Sequence, residues 1–396
     1  MHVLTNVVSA ALALSLLLAA TGAQAQDATK RPYEINAILA LTGSGAFIAH
    51  GQSEALRAAE KYINDTGGIA GQPVHFTIAD SGSSPQTDIQ LTTALLASHP
   101  PFIIEGGPAP VCGGVATLYK NGPVMYCLSP GYYPERGGYV FGSGVDSHLG
   151  MGVVIQYLRG RGLTRLGVIT VTDIAGQEAD AALKTLLADP VNKNIHAVAW
   201  EHFSPRDISV AAQMANIKAA NPDVVIGWAT GTPTGTLLQG YKDAGLTQPF
   251  VASQANENSR QMQQYKSMMP RELMMYSVMF PAEPLMRKGP LKTAIVDYTR
   301  AMKAVGAELN DSSSAETWDA ALILVNALRA LGTNVTADQV RAFVGNLQSY
   351  DGPTGHFDFR IGNQRGLDAT SAIMVRWDPQ AISWTPISAP GGTPLK

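Results

Sequence analysis

Apolar positions recur along this chain in two alternating rhythms. Short runs rich in Val, Ile, Leu and Ala at 33–41, 74–79, 102–105 and 124–128 read as buried strands. Between them lie stretches with apolar residues at helical spacing. In 53–63 these are Ala55, Leu56, Ala59, Tyr62 and Ile63, and Gly67-Gly68 ends the helix because glycine tolerates the left-handed conformation there. Helices are also predicted at 88–97 and 115–120. The pattern restarts near Asp146, with helices at 149–159, 177–187, 210–220 and 234–244 alternating with strands at 166–171, 196–201, 224–228 and 250–252. This alternation predicts an α/β protein of parallel sheets with helices on both faces. Right-handed crossovers gather the loops after the strands on one edge, where ligands bind in such sheets. The remainder predicts helices at 286–305, 316–330 and 339–347, a capped start at Thr336, a tight turn at 351–355, strands at 356–359 and 371–377, and a polar tail from Pro379.

The first residues change the picture. Positions 7–20 are almost wholly apolar but too short to span a membrane, and Ala23-Gln24-Ala25 follows, the small-x-small pattern of a secretion signal. Cleavage is expected after Ala25, which places the mature chain in the periplasm, although the segment before the apolar run has His2 and no Lys or Arg. No Cys stands at that site, so a lipid anchor is not expected. The roughly 370 residues that remain exceed what one core usually holds, so two domains are expected.

A net charge of −3 with acids and bases interspersed argues against nucleic-acid binding. Two cysteines, Cys112 and Cys127, can form a disulfide in an oxidising compartment or remain two buried thiols. No His pair stands at ligand spacing, so neither a metal nor another cofactor is expected. The Met-rich stretch 262–279 reads as adaptable packing or, less simply, as a soft-metal site. Gly-x-Ser-x-Gly, His-Glu-x-x-His and phosphate-loop patterns are missing from the sequence, which argues against an enzyme.

Three stretches, in order, resemble the branched-chain amino-acid (Leu/Ile/Val-binding) family of periplasmic solute-binding proteins. They are INDTGGIAGQPVHFTIADSGSSPQTDIQLTTALL, FSPRDISVAAQMANIKAANPDVVIGWATGT and DGPTGHFDF, within a likeness covering most of 33–377. The resemblance implies two doubly wound lobes of the type I periplasmic binding fold, joined by a three-segment hinge. Lobe one would hold 27–145 and 276–372, and lobe two 146–275 and 373–396. It implies a monomeric, non-enzymatic receptor that captures a small solute and delivers it to the permease and ATPase of an ABC importer. A sensor of an amide or amino compound, built on the same cleft, is the alternative.

Family members grip an amino acid's backbone with a Ser/Thr cluster after the third strand, a Thr or Ser after the fourth, and an acid in lobe two. Here 106–114 has no hydroxyl, the second position reads Ser129-Pro130-Gly131-Tyr132-Tyr133, and the acid falls on Gln254 unless Glu257 takes its place. A neutral Gln compensates a buried ammonium much less than a carboxylate does. Tyr132 and Tyr133 offer stacking area for a flat ligand, or else pack in the core. Ser44, in a Gly-rich turn before a helix, is placed to meet a carboxylate or simply turns the chain; His50 can meet a carboxylate or sit exposed at the helix cap, and Phe47 can line the same wall or staple the helix start. In lobe two Ala175 widens the cleft where relatives carry an aromatic residue, Asp173 reads as a helix cap, and Thr230 and Thr232 follow the central strand. The expected ligand is a small carboxylate, an aromatic acid or an amino-acid-like solute, with leucine, isoleucine and valine binding weakly.

Overall fold

The computed structural model describes residues 31–309 and 311–396. The stretch read from the sequence as a secretion signal lies outside the described residues. Five parallel strands form the first sheet: β1 (Tyr33–Leu39), β2 (Val74–Asp80), β3 (Phe102–Glu105), β4 (Val124–Cys127) and β5 (Val140–Gly142), in the order β2-β1-β3-β4-β5. The second sheet repeats that order with β6 (Arg165–Val171), β7 (His196–Phe203), β8 (Val224–Trp228), β9 (Phe250–Ala252) and β10 (Leu273–Ser277). After the hairpin of β11 (Gln348–Gly352) and β12 (Gly355–Asp358), β13 (Ile373–Asp378) and β14 (Ser383–Pro386) extend the second sheet antiparallel. Strands β3, β4, β8, β9 and β10 are buried along their whole length, as strands covered by helices on both faces must be.

The helices are α1 (Ala46–Asp65), α2 (Pro85–Leu96), α3 (Ala109–Val115), α4 (Ser147–Gly160), α5 (Ile174–Ala188), α6 (Ala211–Ala219), α7 (Pro233–Asp243), α8 (Ser259–Gln264), α9 (Pro290–Ala304), α10 (Ser312–Leu331) and α11 (Ala337–Gly345). Both α9 and α10 return to pack on α1, so the chain passes between the sheets after β5, after β10 and before β13. The result is the two-lobed, doubly wound architecture read from the sequence.

Several boundaries moved, each for a physical reason. Helix α1 begins at Ala46 rather than 53 and runs through Gly51, where the Asp311 carboxylate packs so closely that a Cβ would lie 2.0 Å from its Oδ2. Helix α10 begins at Ser312 rather than 316, because Asp311 caps it by accepting from Ser313 N at 2.8 Å. Helix α9 starts only at Pro290, a residue that suits a first turn and cannot continue one. Strand β14 occupies the tail read as polar, and its Trp384 packs on Trp377 of β13. Thr336 and Gln339 form the expected capping box on α11.

Candidate functional site

In each sheet the strand order reverses beside the first strand, between β1 and β3 and between β6 and β8. Loops leaving a reversal diverge and open a crevice at the carboxyl ends of the strands. Here the two crevices face each other around one enclosed cavity. Lobe one contributes Ile48 of α1, Gly107 and Pro108 after β3, and Leu128 to Gly131 after β4. Lobe two contributes Ala175, Trp228, Thr230, Ser253 and Gln254. Tyr276 of β10 and Ser312, Ser313 and Glu316 from the first turns of α10 complete the wall.

The lobes are shut over this cavity. Gly231 comes so near the carbonyl of Ser44 that a Cβ there would lie 2.4 Å from the oxygen, and Gly231 has a φ of +73° that favours glycine on its own account. A Cβ on Gly131 would lie 3.2 Å from that of Ala109 and 3.7 Å from that of Ala175. Only about 20 Å³ remains open to the centre of a water molecule, room for roughly one water.

One carboxylate stands in the wall, on Glu316. Its Oε1 accepts from Gln254 Nε2 at 2.9 Å and its Oε2 from Ser143 Oγ at 3.0 Å. Burial pushes its acid up to about 7, while the Ser143 and Gln254 hydrogen bonds and the Arg365 charge pull it back. Gln254 also donates to Ser312 Oγ at 2.5 Å, so both of its amide hydrogens are directed at α10. Its Oε1, buried with the rest of the side chain, has no hydrogen-bond partner among the described residues. An acceptor in that state calls for a donor from whatever fills the cavity. Trp228 and Tyr276 stack beside it with ring centroids 6.2 Å apart and planes at 21°.

Arg365 shapes the lobe-one side. Fully buried, its guanidinium donates to the carbonyls of Ser143, Ser129 (3.4 Å), Pro130 (3.2 Å) and Tyr132. These bonds hold three carbonyls of the β4 loop, those of Ser129, Pro130 and Tyr132, and in the loop so held Ser129 lines the cavity while the two tyrosines lie outside it. Tyr132 lies over Gly113 against the cluster around Cys112 and Cys127, which the structure joins in a disulfide with a Cα–Cα distance of 6.1 Å. Tyr133 faces the Arg365 guanidinium, and its hydroxyl accepts from His148 N at 2.9 Å in the first turn of α4. Neither tyrosine, expected as a stacking wall, is among the residues that line this cavity.

Of the other expected residues, Ser129, Ala175, Thr230 and Gln254 lie in the cavity wall. Ser44 is exposed and meets lobe two through its backbone, and the Phe47 carbonyl accepts from Asn258 Nδ2 at 3.1 Å. His50 Nε2 lies 3.3 Å from Glu54 Oε1, and Thr232 is exposed at the start of α7. Asp173 caps α5 through Gly176 N at 3.1 Å. Glu257, the alternative acid, is buried behind the wall and accepts from Ser277 Oγ at 2.8 Å. Sequence reasoning missed Trp228, Tyr276, Ser312 and Glu316. The available signal was Ser312-Ser313-Ser314-Ala315-Glu316, a polar run opening an otherwise apolar helix.

No curated protein sequence matches the chain. Among solved structures, an extracellular ligand-binding receptor from Rhodopseudomonas palustris HaA2 superposes with a TM-score of 0.79 at 18% identity, covering 90% of this chain and 100% of that one. A solute-binding protein of an ABC transporter from R. palustris, in complex with 4-hydroxybenzoate, gives 0.74 at 14% identity over 90% and 95%. A fatty acid ABC transporter substrate-binding protein from Thermomonospora curvata gives 0.72 at 17% over 91% and 90%. These likenesses show the type I periplasmic binding fold. The sequence profile of the periplasmic binding protein family matches residues 32–381, nearly the whole described chain, and the protein belongs to that non-enzymatic family.

Proposed function

We propose that this protein is the extracytoplasmic receptor of an ABC importer and captures a small, amino-acid-like solute between its lobes. The observation that carries the reading is the Gln254–Glu316 pair, which joins lobe two to α10 inside the cavity and leaves Gln254 Oε1 without a donor. An ammonium or amide N–H would supply that donor. With Glu316 ionised, an ammonium also finds a charge partner in a water-poor site, where an unpaired ion is costly. Once the lobes part enough to admit it, the solute's carboxylate would lie toward Ser129, and its apolar part against Trp228 and Tyr276. Glu316 on α10 thus stands where it can supply the acid that Gln254 lacks, which supports a ligand with a charged amine.

Relatives of the same fold carry 4-hydroxybenzoate or are described as binding fatty acids or as branched-chain amino-acid transporters, so the fold accommodates all three classes. What favours an amine-bearing ligand is the chemistry of the wall, whose only charged group among the described residues is a carboxylate. Capture proceeds by hinge closure: the solute binds the open form and shifts the population toward the closed one, which the permease reads. The receptor acts as a monomer delivered to the periplasm by its secretion signal.

Matched pairs of solutes test this. The mature chain is titrated by calorimetry with phenylalanine against 3-phenylpropanoate, leucine against 4-methylpentanoate, and 4-hydroxybenzoate. At least one amino acid is expected to bind tenfold or more tightly than its partner without the amine. Equal affinity within each pair refutes the amine reading. Failure of every solute class at millimolar concentration counts against the receptor itself.

A further inference from the structure

His50 was singled out in the sequence as a ligand contact, and the structure gives it different company. Outside the cavity wall, α8 of lobe two leans on lobe one through consecutive residues. Asn258 Nδ2 donates to Phe47 O at 3.1 Å and to Asp311 Oδ2 at 2.7 Å. Ser259 Oγ donates to Glu308 Oε2 at 2.8 Å. Arg260 Nε lies 3.1 Å from Glu308 Oε1, and its Nη2 lies 3.7 Å from Glu54 Oε1. Glu54 is largely buried, faces His50 on its own helix, and accepts from Glu308 N at 3.4 Å. Phe47 and Asp311 each precede a residue of the cavity wall, Ile48 and Ser312. Arg260 itself belongs to lobe two, since Met262 and Tyr265 beside it pack into that lobe's core.

We propose that Arg260 is a positioning residue that latches lobe two onto lobe one, and that by bridging Glu308 and Glu54 it sets the closed fraction of the receptor and hence its affinity. The pairs form only when the lobes are shut. Opening would leave Glu54 and Glu308 without their cation, so the latch adds to the free energy of closure whatever solute is bound. The solute-bound chain closes through the same latch, so where the free chain is mostly open a weaker latch weakens every ligand by about the same factor. Partly exposed ion pairs of this kind shift such an equilibrium by up to about fivefold, and less in high salt. The inference rests on the hinged-receptor reading for its premise that the lobes separate.

The test needs no ligand. Both native cysteines are bridged, so dyes placed through Lys61→Cys in lobe one and Lys193→Cys in lobe two report interlobe distance by single-molecule energy transfer. Arg260→Ala is expected to lower the closed-to-open ratio of the free chain by up to about fivefold, and 0.5 M salt to lower it in the parent but hardly in the variant. Arg260→Glu should open the chain further, and Arg260→Glu with Glu308→Arg should restore closure, a rescue that mere loss of packing would not show. Distances that no variant and no salt concentration moves, or a charge swap that fails to rescue, overturn the latch. If that result comes with normal solute binding in the calorimetric pairs above, the receptor reading stands and only the latch falls.

Discussion

Replacing Glu316 by glutamine separates a structural carboxylate from a functional one. Burial holds the Glu316 acid at about 7 against an ordinary 4.5. The folded chain therefore binds this proton more tightly than the unfolded chain does. Stability contributed by Glu316 is greatest below 4.5 and is lost as pH rises through 7. At about 1.4 kcal/mol per pKa unit, the loss between pH 5 and pH 8 is on the order of a few kcal/mol. The neutral amide escapes it. Arg365 and Asp311 act on Glu316 from either side, and Asp311, Asp319 and Glu257 titrate in nearby environments, so the informative quantity is the difference between the two chains at each pH.

Urea unfolding of the ligand-free mature protein at pH 5, 6, 7 and 8 measures it. Glu316→Gln should gain stability relative to the parent as pH rises, by a few kcal/mol over the series. The same variant should lose tenfold or more in affinity for any amine-bearing solute that the parent binds, about 1.4 kcal/mol, and keep its affinity for carboxylates without an amine. A group that costs stability yet is needed for binding is a ligand group. A variant that is less stable at pH 8, or whose difference from the parent does not change with pH, would refute the reasoning. Glu316 would then be an ionised structural partner of Arg365.

Other outcomes follow from the same geometry. Gly231→Ala places a methyl group about where the Ser44 carbonyl lies, at a φ of +73°, so it should hold the cleft ajar. Small-angle scattering at saturating ligand should then show no compaction, and full compaction would count against the closed contact. Reducing the Cys112–Cys127 bridge, which closes a loop of 15 residues, should lower unfolding stability by about 3 kcal/mol in denaturant titration; unchanged stability would mean that the bridge does little. Tyr132→Ala should leave solute affinity within about twofold, because the ring lies outside the cavity wall; a tenfold loss, about 1.4 kcal/mol, would return it to the site.

The fold was legible because each strand and helix announces itself locally. Buried parallel strands are continuous apolar runs, as in Phe102–Glu105 and Val224–Trp228, and the helices between them carry their period openly. What escaped the sequence depended on distant partners. Helix α1 runs through Gly51 because a carboxylate 260 positions later occupies the space of a side chain. Strand β14 looks polar alone and becomes a strand because Trp384 finds Trp377.

The site was harder for a related reason. Reading Ser129, Ala175, Thr230 and Gln254 one position at a time placed all four in the wall. Judged the same way, the change from acid to Gln254 looks like the loss of an amine partner. A cavity, however, sums charge over every side chain that reaches it, whichever lobe supplies the group. Here Gln254 is the hydrogen-bonded companion of a carboxylate 62 residues away on α10, and the pair can do what one acid would. Tyr132 and Tyr133 show the converse. Their position after β4 is right, but Arg365, more than 230 residues later, holds that loop's carbonyls, and in the loop so held both rings lie outside the cavity. Position along the chain therefore points to the crevice, whereas the groups that line it are set by contacts between segments far apart in the sequence.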